Sequence, residues 1–442
     1  MFTYLKAENF KSLKSLDADF RDRSGAPKNL VLIYGENGSG KTNLVEAFNV
    51  LKALNRSMNL QRVFNELLSR NAASSDDQKM NADSLIKMFK SKFDMRQILS
   101  DSRTSGSVGD VILEFGFSLD GDKGVYRIVY GDELKEESLY FLLNENSGFN
   151  FKITSPQKCQ ISNIAFRSQE YQKSLKMNIE KYWGTNTLMS IIYNDLYDSN
   201  STYMRESLSA SFYRVVQFFQ TFALSLKRDG KRDESDGLDI LESLDSGEIE
   251  KSELSFLEKK QQILQATFTS LFSDIKDVYY KTTENDKGVI HYDLFFKKMI
   301  GGELLDISFK DESLGTKNLL KIFPYFFPAI MGQTSIIDEA DTGIHDLLFA
   351  QLIEGITPNI DGQLIMTTHN TSIMQKVDRS AIHFIESDPI GNKKFVNLTS
   401  FPTRTMANHN VQDRYLQGIY GGVPIPGYLD YDEMKELLEG SL

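Results

Sequence analysis

Eight residues near the start of the chain, Gly35-Glu36-Asn37-Gly38-Ser39-Gly40-Lys41-Thr42, meet the spacing G-x-x-x-x-G-K-[ST] at every fixed position. What flanks them makes the pattern restrictive. Residues 30–34 (LVLIY) are a short aliphatic run that reads as a strand, and residues 43–54 place Leu44, Val45, Phe48 and Leu51 at the spacing of a helix burying one face. Strand, glycine-rich loop and helix together open an α/β unit. In such a unit the loop N–H groups and the helix N-terminus converge on one anion. Lys41 is placed to reach the β- and γ-phosphates of a nucleotide and Thr42 to ligate Mg²⁺, with Gly35, Glu36, Asn37, Gly38, Ser39, Gly40 and Asn43 completing the cradle. The expected cofactors are therefore ATP and Mg²⁺.

A phosphate loop of this kind needs a carboxylate at the end of a neighbouring strand to complete the metal shell. Residues 334–339 (TSIIDE) supply it as Asp338. Glu339, one residue on, stands where a general base could polarise an attacking water. Thr334 and Ser335 make this strand less apolar than usual. One helix and one strand later, residues 363–369 (QLIMTTH) end an apolar run in His369. A lone histidine reads as structural, but one at a strand end on the ligand edge of a parallel sheet reads as a γ-phosphate sensor. Upstream, Ser313, Gly315 and Thr316 lie just before an apolar-periodic stretch over residues 318–330, expected to be helical. By itself that segment reads as a helix N-cap at Ser313; a Ser and a Gly at a helix start also form a phosphate-binding surface.

Several classes drop out. The longest strongly apolar stretch, residues 322–331, is broken by Pro324 and Pro328 and is far shorter than the ~20 residues of a membrane span. Lys6, Glu8 and Lys11 rule out an apolar secretory leader, so a cytoplasmic location is expected with no membrane partner. Cys159 is the only cysteine, so internal disulfides and thiolate clusters are excluded. The net charge of -11 leaves nucleic acid open as a partner, because an acidic fold can still carry a local basic groove. Strand-like patterns over residues 1–20, 111–119, 124–130, 278–282 and 289–296 alternate with two long helical stretches. The expected organisation is a discontinuous head of residues 1–56, 105–160 and 276–442, interrupted by helical insertions at 57–104 and 161–275. A polar loop is expected at 72–77 and an exposed tip at 228–237.

Taken in order, the phosphate loop, a long helical interruption, a Ser-x-Gly-Thr helix start, Asp338-Glu339-Ala340-Asp341 and a strand-end histidine resemble ABC-type ATPases of the RecF, SMC and OLD branch. Further matches are Glu8-Asn9-Phe10-Lys11-Ser12, Glu137-Ser138-Leu139-Tyr140, Gly343-Ile344-His345, and the Tyr415-Leu416-x-Gly418 and Tyr420-Gly421-Gly422-Val423-Pro424 segments. These look like the stand-alone AAA/ABC ATPases of bacterial abortive-infection and restriction-linked loci, similar to RloA-like proteins and to AriA of the PARIS system. The resemblance implies an α/β ABC-type P-loop ATPase head with helical insertions. It implies Ser313, Gly315 and Thr316 as a signature loop contacting ATP held by a second copy, Asp341 as a D-loop residue and His369 as the switch histidine. It implies an ATP-dependent homodimer or higher oligomer acting as a sensor or switch on a separate effector protein. A RecF- or SMC-like DNA clamp is the alternative. A DEAD-type helicase fails on spacing and partner motifs, an appended nuclease is not expected, and the Arg404/His409 spacing is read as coincidence.

Overall fold

The computed structural model describes residues 1–73, 95–143, 147–155, 158–198, 201–228, 231–232, 241, 243–286, 288–401, 410–423 and 430–439. The chain opens with β1 (Phe2–Phe10), β2 (Leu13–Asp19) and β3 (Leu30–Tyr34), followed by α1 (Lys41–Ala73) and α2 (Met95–Asp101). Next come β4 (Val111–Leu119), β5 (Asp122–Tyr130), β6 (Leu134–Leu143), β7 (Ser147–Thr154) and β8 (Lys158–Ile161). Strands β1, β2 and β4–β8 form a seven-stranded antiparallel sheet in the order β2-β1-β4-β5-β6-β7-β8. Four helices follow, α3 (Gln169–Tyr182), α4 (Leu188–Asp198), α5 (Ser201–Ser207) and α6 (Ala210–Thr221).

The chain then enters β9 (Ala223–Ser225), the two-residue strands β10 (Lys227–Arg228) and β11 (Lys231–Arg232), and β12 (Ser246–Glu250). After α7 (Leu254–Leu271) come β13 (Ile275–Glu284), β14 (Val289–Ile300) and β15 (Glu303–Ser308), which join β12 in a separate antiparallel sheet. The rest is α8 (Leu314–Ile322), α9 (Phe327–Ile330), β16 (Thr334–Ile337), α10 (Asp346–Ile356), β17 (Gln363–Thr367), β18 (Ile382–Ser387), β19 (Lys393–Asn397), α11 (Val411–Leu416) and α12 (Tyr431–Glu439). No helix among the described residues is long and apolar enough to cross a membrane.

The sheet that carries the phosphate loop runs β19-β18-β3-β17-β16-β9, parallel except for the β18/β19 hairpin. Alternation along β3 explains its continuous apolar run. Val31 and Ile33 pack on the side of α1 and the antiparallel sheet, while Leu30, Leu32 and Tyr34 pack on the side of α7, α8 and α10. The expected helical face of Leu44, Val45, Phe48 and Leu51 is completely buried against the first of these cores. Phe48 meets Phe2 edge-on at a centroid distance of 4.8 Å.

Four expectations need correction. No element ends at residue 56, because α1 continues without a break to Ala73; residues 74–94 lie outside the described residues. The segment expected as a helical insertion at 161–275 contains β9, which pairs in parallel with β16 and becomes an edge of the head sheet. The stretch 318–330 is not one helix. It starts earlier, at Leu314, and breaks into α8, a 3₁₀ turn and α9 around Pro324 and Pro328, whose rings cannot continue the helical ladder. Finally, the strand bearing Asp338 is not the neighbour of β3, since β17 lies between them. Part of the tip at 228–237, most of the loop at 72–77, Pro424, and Arg404 with His409 also lie outside the described residues.

Candidate nucleotide site

Four parallel strands, β3, β17, β16 and β9, deliver their C-terminal ends to one edge of the sheet. From β3 the chain passes through the glycine loop into α1. Gly40 shows why the pattern demands glycine. Its φ of 102° is left-handed, and an added Cβ would stand 2.7 Å from the Leu13 side chain. Asn37 and Gly38 form the exposed apex of the loop, and Ser39 is buried beneath it. Lys41 is buried and donates to the carbonyl oxygens of Gly35 (2.7 Å) and Glu36 (3.0 Å). Burial lowers its pKa, opposed by the charges of Glu339, Asp338, Asp341 and Glu36. Asn43 donates to Ser12 Oγ at 2.6 Å, and Lys393 reaches from β19 to the Gly38 carbonyl and to Ser12 Oγ.

From β16 come Asp338 and Glu339. Asp338 is buried, and its Oδ1 accepts from Thr367 Oγ1 (2.7 Å) and faces Thr42 Oγ1 at 3.4 Å. Neighbouring ligands of an octahedral Mg²⁺ lie about 3 Å apart. The Thr42 hydroxyl on the phosphate loop and the Asp338 carboxylate at the end of β16, at this separation, therefore suit that ion, which would take its remaining ligands from phosphate and water. Thr367 also accepts the Glu339 N–H at 2.7 Å, so one threonine at the end of β17 fixes both acids. Of the two polar residues that looked out of place in β16, Ser335 has a local reason: its Oγ donates to the Tyr325 carbonyl.

Glu339 adopts φ 43°, a left-handed conformation that costs a non-glycine residue ~1–2 kcal/mol and is concentrated at functional sites. Its Oε2 accepts from Lys227 Nζ at 2.7 Å and from Thr342 Oγ1 at 3.2 Å. Burial pushes the carboxyl up, but Lys227 and Thr342 outweigh it and hold Glu339 below the usual glutamate range. His369, at the end of β17, is held through its backbone N–H, which donates to both Asp341 oxygens (3.3 and 3.1 Å). Burial and the charge of Lys41 lower the pKa of His369, and burial raises that of Asp341.

The structure thus gathers the glycine loop, Lys41, Thr42, Asp338, Glu339, Asp341 and His369 at one edge. The Ser313 segment stands to one side of it. Ser313 caps α8, its Oγ accepting the Thr316 N–H at 3.2 Å and lying 2.9 Å from Thr316 Oγ1. Gly315 packs against the loop after Asp341: a Cβ there would meet the Gly343 carbonyl oxygen at 3.1 Å. The C-terminal tyrosines brace the other flank. Phe384 stacks between Tyr415 (5.4 Å) and Tyr420 (5.7 Å), and Tyr415 donates to the Gly422 carbonyl, beside Gly35.

Lys227 was not foreseen. The short alternation Ala223-Leu224-Ser225-Leu226 was its sequence signal, hidden inside a stretch dominated by helical patterns.

A glycine loop of this spacing entering a long helix, with Asp338 and Glu339 two strands away and antiparallel sheets beside a parallel one, defines a P-loop ATPase head of the ABC type. The sequence matches, over residues 30–375, the family described as "AAA domain, putative AbiEii toxin, Type IV TA system", and the chain belongs to that family. Among curated proteins none matches. Similar solved structures include the SMC head domain from Thermotoga maritima, at 15% identity over 90% of this chain and 98% of that one, with a TM-score of 0.35. An SmcHead bound to the C-winged helix domain of ScpA has 15% identity over 89% and 96% of the two chains, with a TM-score of 0.42. An Smc head with an extended coiled coil, bound to the C-terminal domain of ScpA derived from Pyrococcus furiosus, has 14% identity over 90% and 97%, with a TM-score of 0.36. Those scores are too low for superposition to carry the fold, which rests on the sheet order and the phosphate loop.

Proposed function

We propose that the protein hydrolyses ATP with Mg²⁺ and works as a nucleotide-gated dimeric switch on a separate effector in anti-phage defence, akin to RloA-like proteins and AriA. The observation that carries the enzymatic part is the convergence of Lys41, Asp338, Glu339 and His369 on one sheet edge. Lys41 and the loop N–H groups bind the phosphates, and Thr42 and Asp338 would hold Mg²⁺, which would supply charge neutralisation when bound. Glu339 takes the proton from the attacking water, and His369 reports on the γ-phosphate.

Support for a second copy comes from the flank of the site. Leu314, next to Ser313, is 71% exposed, and Leu347, just after the Asp341 loop, is 68% exposed. Exposed leucines beside these two loops are apolar surface that a second copy would cover. The defence role is supported by the family description, which names a toxin of a toxin–antitoxin system.

The decisive experiment mixes two inactive variants. K41A loses tight ATP binding; S313R keeps its own phosphate loop but obstructs the site it would complete on a partner. After subunit exchange about half the dimers are mixed, each with one intact composite site, so roughly a quarter of wild-type activity returns. Zero recovery with exchange verified independently removes the shared-site reading.

A further inference from the structure

We infer that Lys227 is a positioning residue that holds the Glu339 carboxylate in the orientation its role as base requires; the inference rests on the reading of Glu339 given above. The register of the sheet brings the two side chains together. β9 runs parallel to β16 with Ser225 opposite Ile337, and the Asp338 N–H donates to the Ser225 carbonyl at 2.8 Å. Two residues further along each strand stand Lys227 and Glu339. Their side chains meet at 2.7 Å, and both touch Thr342 Oγ1 at 3.2 Å, which closes a three-membered cluster around Glu339 Oε2.

Three features separate this pair from an ordinary surface salt bridge. It joins residues 112 apart in sequence, so it reports the closure of the sheet rather than a local helix contact. Both side chains are part-buried, at 25% and 33% exposure, and the ion pair is less screened than one in open solvent. The carboxylate it restrains sits on a left-handed backbone, where the side chain leaves the chain in an uncommon direction. A glutamate has three rotatable bonds, and an ammonium with a hydroxyl fixing one oxygen removes most of that freedom before substrate arrives. Lys227 thus does for Glu339 what Thr367 does for Asp338. β9 is buried along its whole length, with Leu224 in the core on the α1 side, so the strand that leads into Lys227 is itself fixed by packing.

The test compares K227M and K227R with wild type and E339Q, measuring kcat, KM, ATP affinity and thermal midpoint. Methionine keeps the length of the stem and removes the charge; arginine restores a cation able to pair with the carboxylate. The expected result for K227M is a kcat lowered by about tenfold to a hundredfold, with KM, ATP affinity and melting midpoint close to wild type. K227R should recover most of the loss. Adding K227M to E339Q should slow its single-turnover rate by less than about twofold, because a residue acting through Glu339 has nothing left to act on. An unchanged or raised kcat in K227M, or ATP affinity falling in step with kcat, or a further large drop in the double variant, overturns the inference. If E339Q itself hydrolyses ATP at the wild-type rate, it is the base assignment that fails; if E339Q is slow and K227M normal, only the role of Lys227 fails.

Discussion

Glu137, in the middle of β6, and Glu339, at the end of β16, are both withdrawn from bulk water and both collect donors, but they do so in different settings. Glu137 is completely buried and accepts from Tyr126 Oη (2.8 Å), Trp183 Nε1 (2.9 Å) and the backbone N–H groups of Leu188 (2.6 Å) and Met189 (3.3 Å). It ties the start of α4 to the antiparallel sheet. Burial raises its pKa in spite of those four donors. Glu339 is part-buried, sits on a strained backbone, and faces the cations Lys227 and Lys41. The histidines divide in the same way. His383 is buried on β18, stacked on Phe395 at 4.9 Å, with Nε2 bonded to Lys28 and Asn397, whereas His369 is exposed at the site edge. A carboxylate that serves the fold is surrounded by neutral donors that cannot leave. One that serves chemistry is held by a few groups at an edge where a ligand can enter.

The sharpest test of that contrast is E339Q. The amide preserves size and removes basicity, so hydrolysis should fall by ~10²-fold or more while ATP binding and thermal stability persist. Size-exclusion chromatography with ATP and Mg²⁺ should then show an accumulated dimer. E137Q should do the opposite. It turns an acceptor into a group whose NH₂ faces other donors, and the fold should lose on the order of 3 kcal/mol in urea titrations, with ATP affinity unchanged once folded.

His383 gives a graded effect with a definite pH window. Burial first, and then the charge of Lys28, lower the pKa of His383 from the ordinary 6.5 to about 3. The native ring stays neutral while the unfolded ring takes a proton below pH 6.5, so the unfolded state binds more protons in between. Stability therefore drops as pH falls from about 6.5 towards 3, by at most ~1.4 kcal/mol per pH unit from this group. Urea midpoints at pH 6.5, 5.5 and 4.5 should show that slope in wild type and a shallower one in H383Q. The smallest change is expected from S313A, which removes the N-cap of α8 but leaves its backbone N–H groups in place. A loss of ~1 kcal/mol in stability, with a much smaller fall in hydrolysis than in S313R, would assign the Ser313 hydroxyl mainly to the fold.

Much of the site was legible because its parts are local. The glycine loop and the α1 face follow from spacing alone, since a loop cradle and a helical stripe involve residues within one or two turns of each other. Asp338, Glu339 and His369 were legible because each ends an apolar run, and the ligand edge of a parallel sheet lies at its strand ends. The strand order was not legible. Nothing in residues 334–339 or 363–369 says that β17 lies between β3 and β16. Nor does residue type alone show that Glu137, one of two adjacent glutamates in β6, is the one turned into the core.

What the sequence determined by itself was therefore the set of short-range devices: the phosphate loop and its helix, the strand-end acids and histidine, and the N-cap at Ser313. What tertiary structure alone decided was which distant residues complete them. β9 is three residues long, too short for periodicity to separate from the helices before it, and it becomes a strand only by pairing with β16 across more than a hundred residues. That pairing carries Lys227 to Glu339. A helix is set by contacts within a turn, but a sheet edge is set by partners anywhere in the chain, and this site is built on a sheet edge.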